Sequence, residues 1–297
     1  MLVVCLTMMG IQSVNAQIAI AALHHEGNVT IYSSPQIAID NSVDGDTVYL
    51  SEGMFGEFTI NKGVAVIGSG MKTVVAPNIT IQGCNIFLSN ISLVQNLRIS
   101  NLGGACQVKV RQCKISGNCI FSDYYEVSDV EISMCHIEGY VSLSSSADVI
   151  SVINSKIGDV RYSGKVDGSA VFVNCNINIV NSSYNSDRNN FVNCIIGSLC
   201  TGYYKNCLYK TDYPSAYKSD CYASNDFSFD NNINCSFDDQ TLRDSNYLGT
   251  DGTVVGITGG ATPYTLASPL LHITDHNMEV DNEQRKLKVT LTLGTEE

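Results

Sequence analysis

Three basic side chains sit in the same local setting, each between a Cys or Ser and an Ile. They are Cys113-Lys114-Ile115, Cys135-His136-Ile137 and Ser155-Lys156-Ile157, at steps of 22 and 20 residues. If the flanking residues face a core, Lys114, His136 and Lys156 point outward in a line. Lys109, Arg111 and Arg161 are close to them in sequence. On a chain of formal charge −12, such a line would be a local patch able to hold an acidic glycan. Lyase chemistry on that glycan would need a base to remove a proton and a cation to neutralise charge. Asp129 and Glu131 lie beside the row and would partly cancel its field, so an ordinary solvated face is the stronger reading.

A second group is aromatic. Tyr203, Tyr204, Tyr209, Tyr213, Tyr217 and Tyr222 fall within twenty residues, and the chain has no Trp. Together with Tyr124-Tyr125 they are the dense aromatic surfaces on which sugar rings could stack. The competing reading has alternate tyrosines filling a narrowing core and a long loop. Carboxylates offer less. Asp44 with Asp46, Asp226 with Asp230, and Asp238-Asp239 are the tightest pairs, and such Asp- and Asn-rich loops could hold Ca²⁺, although turn formation explains them as well. No other cofactor is indicated. His272 and His276 have helix-type ligand spacing but follow a Pro-bounded loop, which argues against zinc.

What positions these groups is a repeat. The phrase apolar, any, apolar, any, Asn, Cys, any, Ile reads Val-Lys-Val-Arg-Gln-Cys-Lys-Ile at 108–115 and returns at 130–137, 150–157 and 170–177, with weaker copies at 189–196 and 202–209. Its sixth position falls at Cys113, Cys135, Ser155, Cys175 and Cys194. A period near 20 residues marks a solenoid, each unit burying its apolar face against its neighbours. Short β-branched runs broken by Asn and Gly, with almost no helical periodicity, make it all-β. The alternation puts Val108, Val110 and Ile115 inside, with Val130, Ile132 and Ile137 one coil later. Asn at 154, 174, 193 and 206 suits a sharp corner, because it tolerates the left-handed conformation.

The run from Asp44 to Gly68, with Gly45-Asp46-Thr47-Val48-Tyr49-Leu50 followed by Val64-Ala65-Val66-Ile67-Gly68, resembles the opening coils of the pectin lyase-like right-handed parallel β-helices. That resemblance covers roughly residues 30–250 and implies a single-stranded right-handed parallel β-helix of about ten coils. Similar proteins cap that end with a short helix, which Pro35–Asp40 could supply. The Gly259-Gly260-Ala261-Thr262-Pro263-Tyr264 stretch and the alternating Lys286–Leu293 resemble the end of uncharacterised secreted β-helix proteins of anaerobic gut bacteria. Residues 251–297 are accordingly expected to be a capping segment beyond a helix spanning 29–250. The resemblance carries no activity, since this scaffold hosts lyases, hydrolases, esterases, adhesins and binders. The sequence also lacks the Arg motif of pectate lyases, the paired-Asp motifs of polygalacturonases and the Asp-and-Arg set of pectin methylesterases. A Gly-x-Ser-x-Gly elbow, a phosphate loop and a dinucleotide fingerprint are missing too.

Residues 1–16 are apolar and end in Val14-Asn15-Ala16, the pattern of a secretory signal peptide whose start is truncated, since the first basic side chain other than His is Lys62. The segment is too short to span a membrane. The expected location is secreted, periplasmic or cell-surface. Net charge −12 excludes nucleic acid as a partner. Of the 12 cysteines, five share one register of the repeat and are expected to stack as a reduced, buried ladder, with a bridge such as Cys200 to Cys207 left open. Charged residues make up only 15% of the chain, so the polar surface must come from Asn, Ser, Thr and Tyr, as is common where sugars are the partner. The expectation is a monomeric carbohydrate-associated protein that binds polysaccharide. A polysaccharide lyase or glycoside hydrolase, or a structural or adhesive surface protein, are the alternatives.

Overall fold

The computed structural model describes residues 19–83, 85–100, 107–121, 129–144, 149–163, 169–182, 189–266, 271–281 and 286–295. The segment 1–16, expected to be a signal peptide, and Tyr124-Tyr125 lie outside them. The architecture is a parallel β-solenoid. About six of its turns are regular, and ten strands, from Thr47–Leu50 to Tyr217–Ser219, stack in parallel register in one sheet. The phrase itself occurs six times. Coils without it continue the sheets towards both ends, so the alternation that suggested ten is wider than the regular repeat.

Each regular turn contributes one strand to each of two long sheets. In the first sheet, Gln107–Arg111 pairs in parallel with Asp129–Ser133, which pairs in turn with Val149–Ile153, Ser169–Val173, Asn190–Val192 and Tyr203–Lys205. The register moves by one whole repeat, so like stacks on like. Val110, Ile132, Val152, Phe172, Phe191 and Tyr204 form one buried inner ladder. Its last three rings stack with centroids 4.8 and 4.7 Å apart, within the range favoured by aromatic pairs.

The chain then turns a corner at the fifth position of the phrase. Gln112, Met134, Asn154, Asn174, Asn193 and Asn206 all have φ between 45° and 53° or slightly above, at 51°, 53°, 45°, 52°, 55° and 50°. This is the left-handed region in which Asn is tolerated best after glycine. The sixth position follows, facing in. Cys113, Cys135, Ser155, Cys175, Cys194 and Cys207 are all buried, and the cysteines are free thiols, as are Cys200 and Cys221. Their small size is only part of the reason for their place. Each thiol at the sixth position donates to the carbonyl two residues back, Cys135 to Ser133 at 3.3 Å and Cys194 to Val192 at 3.3 Å. Ser155 makes the same bond to Ile153 at 2.9 Å. The position requires a short side chain with a donor, and Ser meets that need where Cys is absent.

The second sheet carries the other half of each turn, including His136–Ser144, Lys156–Ser163, Asn176–Ser182, Ile195–Ser198 and Leu208–Thr211. Its strands shift register near Gly139 and Gly158, where the coils approach closely. At Gly158 a Cβ would lie 2.4 Å from the carbonyl oxygens of both Glu138 and Gly139, so no larger residue fits there.

At the N-terminal end, strands Ala21–His25 and Asn28–Tyr32 form an antiparallel hairpin on Thr47–Leu50. The helix expected at Pro35–Asp40 is present, with Pro in its first turn and Ala38 and Ile39 buried. After Tyr222–Ala223 the chain folds back across the outer face of the second sheet as a strap. It carries a helix, Asp239–Asp244, whose first turn is capped by Asp238 accepting from the Thr241 N–H at 2.7 Å. Phe227, Leu242, Val254 and Val255 of the strap pack on Ile195 and Leu208 to make a second buried cluster. The strap also follows the corner residues. Asn206 donates to Leu248 O, Asn193 exchanges bonds with Thr250, and Asn154 donates to Ile257 O and Gly259 O, while Asn176, at the start of its second-sheet strand, donates to Ile233 O. The alternating segment Lys286–Thr295 pairs antiparallel with Leu271–Asp281. No helix among the described residues is long and apolar enough to cross a membrane.

Candidate functional site

The basic row is brought together as its spacing suggested. Lys114 pairs with His136 and His136 with Lys156 in the register of the second sheet. It is not an open cationic face. The ladder continues through Asn176, Ile195 and Leu208, which are buried, and the strap covers this end. Lys114 is ion-paired with Glu138 at 2.8 Å. His136 is 4% exposed and its Nε2 has no hydrogen-bond partner. Lys156 is buried, donates to Asn234 Oδ1 and lies 4.6 Å from the centroid of the Tyr264 ring. Burial pushes the His136 imidazole below its ordinary pKa, with the neighbouring Lys156 ammonium adding to the effect. Burial likewise lowers Lys156, against the opposing pull of Asp230. Of the flanking cations, Arg161 is paired with Asp159 at 2.8 Å and lies over Tyr140. The signal that this row would be covered was present in the sequence: apolar Ile195 and Leu208 occupy its later positions.

The tyrosine pair is divided between two faces. Tyr204 is an inner-ladder residue, 2% exposed, and its hydroxyl donates to Cys200 O at 3.0 Å while accepting from Cys200 N. Burial raises its pKa well above the usual phenol range. Its ring and hydroxyl are turned into the core. Adjacent residues of a strand face opposite ways, so Tyr203 points outward, and its partner is Tyr217 on the next coil. These rings stack with centroids 4.9 Å apart and an interplanar angle of 15°. They are 43% and 58% exposed. Tyr217 falls in the sequence cluster, but only the register shows that it is Tyr203's neighbour. The pair lines a groove of about 370 Å³ with Asn190, Val192, Lys205, Lys218 and Ser219. Lys218 is tied to Asp212.

The carboxylate pairs serve structure. Asp46 bonds His25 Nδ1 at 2.8 Å and the Val43 N–H at 2.8 Å. Asp230 accepts from Asn232 and Asn234 within its own turn, and Asp238 caps a helix. Among the described residues no three His, Cys, Asp or Glu side chains converge as a metal site. The backbone at His272 and His276 is a strand, so their four-residue spacing does not put them on one helical face. The His25–Asp46 contact was not apparent in the sequence, because it joins the hairpin to the next coil. Comparison with protein-family models, curated proteins and solved structures finds no match to this chain.

Proposed function

We propose that this solenoid is a secreted or cell-surface protein of the pectin lyase-like β-helix superfamily and that it binds polysaccharide through Tyr203 and Tyr217. The observation that carries the reading is the exposed, near-parallel tyrosine pair. Two flat apolar faces on consecutive coils, rimmed by the amide of Asn190, the ammonium of Lys205 and the hydroxyl of Ser219, match the alternation of apolar and hydroxyl faces on a sugar ring. The sheet beneath holds the rings in place, so little order is lost on binding. Binding is preferred to lyase or hydrolase chemistry because the described lining of this groove contains no carboxylate or imidazole to act as acid or base. The basic row is a weaker candidate for the glycan, given the strap that covers Lys156 and His136.

The test is affinity electrophoresis through gels loaded with neutral and acidic polysaccharides, comparing the natural chain with a Tyr203→Ala/Tyr217→Ala variant. Retardation that disappears in the variant, with an unchanged thermal unfolding transition, is the expected result. Retardation that survives the double substitution refutes the platform. A protein retarded by none of the polymers is better read as structural or adhesive.

A further inference from the structure

His136 occupies an unusual place for a titratable group. It is the middle rung of an in-register ladder, with Lys114 on one side and Lys156 on the other. Parallel rungs are about 4.8 Å apart. Its side chain is buried at the margin of the strap, and its Nε2 has no acceptor. Strap residues meet the neighbouring rung directly, Asn234 through a hydrogen bond to Lys156 and Tyr264 through its ring.

We infer that His136 is a proton-operated latch: its protonation releases the end of the strap that carries Tyr264 from the second sheet. A proton on Nε2 would create a buried donor without an acceptor and a cation between two ammonium groups. Both features oppose the closed arrangement. The opposing charges are few. On its own strand, Glu138 faces the imidazole but is already ion-paired with Lys114. From the strap, Asp230 faces it, with both carboxylate oxygens taken by Asn232 and Asn234. Tyr264 contributes a phenol, which is neutral across this range. Burial and Lys156 outweigh the two carboxylates, and the imidazole is held below its ordinary pKa of 6.5.

The sign follows from that depression. The closed state costs nothing above pH 6.5, where the imidazole is neutral whether covered or free. Below it, the open state takes up the proton more readily, and the strap end is progressively favoured to lift. The rest of the strap stays anchored by the Phe227, Leu242, Val254 and Val255 cluster and by the bonds from Asn193 and Asn206. Opening would therefore be local: it would break the Asn154 bonds to Ile257 O and Gly259 O and uncover His136 beside Lys114, while Asn234 stays on Lys156.

The chain contains no Trp, so Tyr264→Trp provides a single tryptophan at the latch, which can be excited apart from the tyrosines. Its emission is expected to be blue-shifted at pH 8 and to move to the red with a midpoint below 6.5, while the far-ultraviolet circular dichroism stays constant. Adding His136→Gln, which is polar and cannot gain a charge, should flatten the titration. A red shift of equal size and midpoint in the His136→Gln background overturns the assignment, and so does constant emission from pH 8 to pH 5 with His136 present. Limited proteolysis of the chain without the Trp substitution reads the same event independently of how Trp fits at position 264. Cleavage within 257–266 should increase at least several-fold between pH 8 and pH 5, and His136→Gln should remove the increase. Equal cleavage at both pH values refutes the latch.

Discussion

Replacing Asn193 separates the two tasks that the corner residues perform. Asn193 has φ 55° and is 3% exposed. Its Oδ1 accepts from the Thr250 N–H at 2.9 Å and its Nδ2 donates to Thr250 Oγ1 at 3.3 Å. Asn193→Gly removes both side-chain bonds but tolerates the left-handed backbone. The loss of two bonds, one of which leaves a strap N–H without its partner, is worth about 1–3 kcal/mol. Asn193→Ala removes the same bonds and adds about 1–2 kcal/mol for a Cβ held in the left-handed region. The expected order of stability is natural chain, then Gly, then Ala, with Ala lower than Gly by about 1 kcal/mol or more. Urea denaturation followed by far-ultraviolet circular dichroism measures the order. Proteolysis of the strap near Thr250 should accelerate in both variants, because both detach it from this corner. If Gly and Ala are equally destabilised, backbone strain has no part in the choice of Asn. If neither accelerates cleavage of the strap, the corner ladder does not hold it.

Two further expectations concern the repeat and its N-terminal end. Ser155 bonds Ile153 O and accepts from the Cys135 N–H at 3.1 Å, so Ser155→Ala should cost about 1–3 kcal/mol, whereas Ser155→Cys, which restores a donor of the kind found on the other rungs, should recover most of it; thermal unfolding of the two variants decides. At the hairpin, the hydrogen bond and charge of Asp46 raise the His25 pKa above 6.5. Burial alone would raise Asp46, but the Val43 N–H, His25 and Lys62 together hold it below 3.8. The His25 contribution is complete below pH 6.5 and is lost as pH rises through its elevated value. The Asp46 contribution is complete above 3.8 and is lost as pH falls through its depressed value. Amide exchange in Ala21–Tyr32, corrected for intrinsic rates, should therefore be slowest between about pH 4 and 6.5. Asp46→Asn should flatten that dependence, and an unchanged profile would show that the contact does not secure the hairpin.

Much of the solenoid was legible in the chain because a parallel coil repeats its own environment. Val108, Val130, Ile150 and Ala170 recur at steps of 22, 20 and 20 residues since each packs on the one before it, and Asn recurs at the corner because the same backbone turn recurs. A local rule applied many times leaves a mark that sequence can display. The number of regular turns was less legible, because the end coils keep the alternation but lose the phrase. What lies outside the solenoid was decided by tertiary structure. Strand alternation alone puts Lys114, His136 and Lys156 outside, and that was correct, but whether outside means solvent depends on a strap more than seventy residues further along the chain. For the tyrosines, sequence proximity joined Tyr203 to Tyr204, whereas the pleat turns them to opposite faces and the coil register gives Tyr203 the ring of Tyr217 instead. Periodicity is a property of neighbours along the chain, and it specifies the scaffold. A site assembled from different coils and a returning strap is set by contacts that no local pattern encodes.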